Sequence, residues 1–142
     1  MSMYNGGMYQ IINQTTNWAT ADIRVLLVNS AYAQNKDSVF VSDVTANEIS
    51  TTNYVRKVLA GLSITQDDTN DRIVLDATDP VWTALGPGTG GPTIGGVVAF
   101  RNTGADGTSP LLSLNDLPDT QVNGSDLTVV WNAAGVITAT SP

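Results

Sequence analysis

Apolar residues in this chain fall in short runs separated by turn-forming residues, and most runs carry the two-residue period of a strand. Asp22–Val28 opens with alternation and becomes uniformly apolar from Val25 to Val28, as a strand covered on both faces does. Tyr54–Leu59 mixes β-branched, aromatic and basic residues over a strand length, and Arg72–Asp76 follows the polar cluster Gln66–Asp71, which reads as a turn. Val81–Leu85, Gly96–Phe100, Pro110–Leu114, Leu127–Trp131 and Val136–Thr140 complete a set of eight. Short strands punctuated in this way predict an all-β fold, a β-sandwich or jelly-roll-like barrel, rather than βαβ units.

The connections refine that expectation. Gly135 lies between the last two runs and tolerates positive φ, which predicts that Leu127–Trp131 and Val136–Thr140 form a hairpin. Gly104-Ala105-Asp106-Gly107 predicts a second hairpin between Gly96–Phe100 and Pro110–Leu114. Ser38–Val44 is the one helical candidate, with Asp37 or Ser38 as its cap, although its β-branched residues work against it. Gly86–Pro92 reads as a long surface loop, because its prolines cannot donate to a central ladder. Residues 1–16 set scattered Met, Tyr and Ile among Asn, Gln and Thr, and are expected to form an extended N-terminal arm ahead of a single β domain over residues 17–142.

Composition removes several classes of function. A chain of 142 residues is one domain by default. The formal charge is −7, with six Lys and Arg against thirteen Asp and Glu, so no basic stripe is available to neutralise phosphates and a nucleic-acid partner is not expected. No Cys is present for a disulfide or a thiolate metal site, and no His is present to act as a general base or metal ligand. The N-terminus has neither a basic region nor an apolar core of the kind a signal peptide needs, and no apolar run approaches the roughly 20 residues that cross a bilayer. The sequence thus predicts a protein made in the cytoplasm with no membrane partner.

Candidate chemistry is sparse. The glycines of Gly86–Pro92 are interrupted by Pro87 and Pro92 and lead into a strand rather than a helix, so they do not make a phosphate cradle, and no cofactor is expected. Asp67, Asp68, Asn70 and Asp71 offer oxygen ligands to a hard cation but lack the spacing of a calcium loop, and a solvated turn is the simpler reading. Glu48 is the single Glu, and a Ser nucleophile would have only Lys36 or Lys57 as a non-carboxylate base, so catalysis is not expected. Trp82 and Trp131 read as core, whereas Trp18 is divided between the core and an interface hot spot.

Four stretches taken together carry a family likeness: Asn17–Val28, Val41–Ile49, Thr93–Val98 with Thr108–Leu112, and Asn123–Ile137. In this order they resemble a widespread family of small tailed-phage and prophage structural proteins, several of which are capsid cement (decoration) proteins. The resemblance implies a virion protein on the capsid exterior. It would bind the major capsid protein at three-fold or quasi-three-fold positions, tie capsomers together, and associate as a homotrimer. The likeness runs from about Asn17 to Thr140 and does not cover the N-terminal arm; there the residue types Met3, Tyr4, Met8, Tyr9, Ile11 and Ile12, with Trp18, are the expected interface, since Tyr, Met and Trp are enriched at such surfaces. The alternative on the same scaffold is a tail- or fibre-associated component that binds a host saccharide through Tyr32 or the Gly86–Pro92 loop. A carbohydrate-active enzyme would need Asp67 and Asp76 to converge in a groove.

Overall fold

A computed structural model describes residues 1–140. In chain order the elements are strand β1 (Ser2–Met3), helix α1 (Asn5–Ile12), β2 (Ile23–Asn29), two 3-10 turns (Val41–Asp43 and Thr45–Asn47), β3 (Lys57–Val58) and β4 (Ser63–Asp67). They continue with β5 (Arg72–Asp76), β6 (Val81–Trp82), β7 (Thr93–Arg101), β8 (Leu111–Gln121), β9 (Leu127–Thr128) and β10 (Ile137–Thr140). Strands hold 37% of the chain and helix 10%, so the class is mostly β.

The main sheet has the order β1-β8-β7-β2-β3, and every neighbouring pair is antiparallel. Its centre explains the uniform apolarity of Val25–Val28. Ile23, Val25 and Leu27 face one hydrophobic cluster with Val97 and Ala99, while Leu26 and Val28 face a second with Val98 and Phe100. A central strand covered on both sides has no position left for a polar residue. The first cluster is completed by a three-stranded sheet, β10-β5-β4, and by the β6-β9 pair, through Leu75, Ile137, Trp82 and Val129. The second is closed by the 3-10 turns, through Val41 and Val44, and by Tyr4.

Antiparallel pairing of β7 with β8 realises the hairpin expected at Gly104–Gly107. The other expected hairpin does not form. Gly135 makes its turn, with φ of 66°, but β9 pairs with β6 and β10 pairs with β5, so the turn passes the chain from one sheet to another. Strand β4 runs into the Gln66–Asp71 stretch read from the sequence as a turn, and its residues are exposed on both faces, which removes the alternation that would have revealed it. The Ser38–Val44 segment holds only a 3-10 turn, where the Asp43 carboxylate accepts the Val39 and Phe40 amides at 2.8 and 3.0 Å.

Residues 1–16 are not an extended arm. β1 adds to the edge of the main sheet, with Ser2 opposite Leu114 and Met3 opposite Ser113, and α1 packs across β8. Gly7 makes that packing possible: a Cβ there would sit 2.6 Å from the Leu111 carbonyl oxygen and the Leu112 Cα, closer than any side chain tolerates. The Gly86–Pro92 loop is exposed at residues 87–90, but its ends are held where Gly86 and Gly91 close on Val122.

Candidate interaction surface

Helix α1 is fixed to the body at both ends, and this decides which residues it presents. At its start the Tyr4 amide donates to the Leu112 carbonyl at 3.1 Å, and the Tyr4 and Tyr32 hydroxyls meet at 2.7 Å. Burial, first, and that hydrogen bond push the Tyr4 hydroxyl pKa far above its ordinary value, so it stays neutral. Asn5 Nδ2 donates to Asp37 at 2.7 Å. At the helix end Thr16 donates to the Gln10 side chain at 2.9 Å, Arg101 to the Thr15 carbonyl at 2.9 Å, and the Trp18 indole to the Asp76 carbonyl of β5 at 3.1 Å.

With the helix held in this way, its 3.6-residue period sorts the expected interface residues. Tyr4 and Trp18 are fully buried and Met3 and Ile11 half-buried, all four turned toward the body. Trp18 is therefore core, like Trp82, while Trp131 is half-buried against the same cluster. Met8, Tyr9 and Ile12 occupy the outer face, with Tyr9 69% and Ile12 75% exposed. Three large apolar side chains on one side of a short helix form an exposed apolar patch that no described residue covers.

Beside α1 lies a groove of about 400 Å³. Its walls include Ile11 and Trp18 on one side and Ile64, Ile73 and Leu75 of the three-stranded sheet on the other. By register Ile64 lies opposite Leu75, and Gln66 and Ala139 opposite Ile73, so one face of that sheet lines the groove. A second hollow on the same face is lined by Asp68, Asp71 and Ala139 and meets the first at Ile73.

The acidic cluster is the turn of the β4–β5 hairpin. Asp67 accepts hydrogen bonds from Asn70 Nδ2 at 2.8 Å and Arg72 Nε at 2.7 Å, and these hold its carboxyl below the usual carboxylate range. No group of three or more acidic side chains placed to hold a metal ion occurs among the described residues. Asp67 and Asp76 both line a hollow of about 390 Å³ on the opposite face of the three-stranded sheet, with Thr65, Val74 and Ala133; there Asp67 is engaged by Asn70 and Arg72, and one buried Asp76 oxygen has no hydrogen-bond partner among the described residues. Asp79 accepts the Trp131 amide at 2.8 Å.

A network the sequence did not reveal lies on the opposite side of the main sheet. Arg56 donates to both Glu48 oxygens, at 2.8 and 2.6 Å, and to both Asp106 oxygens, at 2.6 and 3.0 Å. Its guanidinium also lies 5.6 Å from the Phe100 ring centroid, and Tyr54 donates to Glu48 at 2.7 Å. Arg56 holds the Asp106 carboxyl below its ordinary pKa, and the two carboxylates raise that of Arg56. Each of the four carboxylate oxygens accepts at least one hydrogen bond, and the network joins the 3-10 segment, the β3 approach and the β7–β8 loop.

No protein-family model matches the chain, and neither a curated protein nor a solved structure matches it.

Proposed function

We propose that this protein is a virion structural component, a capsid cement protein that attaches to the outside of a phage head and stabilises contacts between capsomers. The observation that carries this reading is the outer face of α1: Met8, Tyr9 and Ile12 stand exposed on a helix whose Tyr4, Gly7 and Ile11 side is locked to the main sheet. A pre-ordered apolar patch binds without the entropic cost of ordering a loose segment. In this reading the main sheet and the two smaller sheets are the layers of a sandwich-type body, three copies assemble about a three-fold axis, and each patch rests on the major capsid protein. Attachment only to the assembled shell would stabilise that shell by mass action. The acidic, low-charge composition is compatible with a protein surface as partner.

Deleting residues 1–16 is not an informative test, because it removes Tyr4 from the core and β1 from the sheet. Point substitutions on the outer face are. Tyr9→Asp with Ile12→Asp should leave thermal unfolding nearly unchanged, while attachment to purified empty heads falls at least tenfold. Electron microscopy of purified virions should place the wild-type protein on the outer shell. Its complete absence from virions would overturn the reading.

A further inference from the structure

The groove between α1 and the three-stranded sheet has a chemistry distinct from the α1 patch, and four observations define what fits it. First, its walls are apolar where Ile11, Trp18, Ile64, Ile73 and Leu75 meet, and Ile64 is 54% exposed although it faces this hollow. Second, the same sheet face runs past Ile73 to Asp68 and Asp71. Third, the positive charge nearby is already spent: Arg72 donates to Asp67 and to the Ala133 carbonyl at 3.0 Å, and the Asp71 carboxylate has no hydrogen-bond partner among the described residues. Fourth, the groove is bordered by β4, whose outer edge pairs with no strand among the described residues and whose residues Ser63–Asp67 include neither Lys nor Pro, the usual guards of an open edge.

We infer that this groove receives an extended segment of a partner protein with alternating aliphatic side chains and a Lys or Arg at one end. The backbone of the segment adds to the free edge of β4, its aliphatic side chains enter the hollow beside Ile64 and Ile73, and its basic end lies against Asp68 and Asp71. Strand addition fits the geometry because main-chain hydrogen bonds supply attachment while pockets for alternate side chains supply selectivity. The charge of −7 favours approach of a basic segment and disfavours an acidic one. Under the capsid reading, on which this assignment of the partner rests, the segment belongs to the major capsid protein, and the groove is a second anchor beside the α1 patch.

The test uses the full chain and two fluorescently labelled peptides, both alternating isoleucine with threonine, one ending in two lysines and the other in two glutamates. By fluorescence anisotropy at low salt, the lysine peptide should bind saturably and the glutamate peptide at least tenfold more weakly. Asp68→Asn with Asp71→Asn should weaken the lysine peptide about tenfold at low salt, as loss of two exposed charge contacts implies. Ile73→Asp and, separately, Ile64→Asp should abolish binding, with circular dichroism showing that each variant is folded. Equal binding of the two peptides, or undiminished binding by both folded isoleucine variants, overturns the proposal. So does sedimentation showing that these variants turn an oligomer into a monomer, since the groove would then be filled by a second copy. Protein present on virions but insensitive to Ile73→Asp refutes the groove alone. Protein absent from virions, with peptide binding as expected, refutes the capsid reading alone.

Discussion

Two neighbouring glycines in α1 have opposite reasons for being there. A Cβ on Gly6 would meet nothing within 4 Å, whereas one on Gly7 would strike the β8 backbone. Gly6→Ala should therefore raise stability by about 0.5 kcal/mol, from helix propensity and a less disordered unfolded chain. Gly7→Ala should lower it by about 1–3 kcal/mol, because the neighbouring atoms are backbone and cannot rotate away. Urea denaturation of the two variants checks both signs. Arg56 permits a second comparison. Arg56→Met should cost about 1–3 kcal/mol at neutral pH, because it strips two carboxylates of charged hydrogen bonds in a partly buried setting. Arg24→Met, which breaks an exposed pair with Asp22, should cost less than about 0.5 kcal/mol. The Asp106 carboxyl titrates lower folded than unfolded, so its contribution is complete above the ordinary carboxylate pKa of about 3.9 and is lost as pH falls below it. The stability gap between wild type and Arg56→Met should accordingly narrow on acidification below about pH 4, and thermal melts across that range would show it.

At the scale of elements, what the sequence disclosed follows the number of buried faces. Strands β2 and β7 stand out because both of their faces are covered and their apolar runs are continuous. Strand β4 is hidden because neither face is covered, and α1 because its glycine pair and its Asn and Gln argue against a helix until packing on β8 is known. The candidate surface was legible as a set of residue types but not as a surface. Tyr4 and Tyr9 are the same amino acid five positions apart, and only the helical phase sends one into the core and the other into solvent. The Gly135 turn teaches a similar lesson, since a local turn constrains φ but does not choose the strand that pairs beyond it. One dynamic consequence follows. Amides of β2, β7 and the first half of β8 should exchange with solvent at rates near those of global unfolding, and those of β4 orders of magnitude faster, as read by hydrogen-exchange mass spectrometry. Protection of β4 equal to that of β2 would show that its edge is covered in solution.

At the scale of the whole molecule, a doubly covered centre is set against margins that carry exposed apolar side chains. The doubly covered main sheet and the Arg56 network fix the body, while the exposed apolar side chains described above lie on α1 and on the outlying hairpin. Under the proposed function, attachment needs no reactive group, and specificity resides in which apolar and acidic features share a face.

The placement of β1 next to β8, with Ser2 opposite Leu114, also bears on how the polypeptide is made. Strand β1 must wait for a partner translated more than a hundred residues later, an interval on the order of ten seconds at about 10 residues per second. During that interval Val25–Val28 and the residues of α1 are without their cover, which makes the nascent chain a natural client for holding chaperones and ties correct folding to completion of translation.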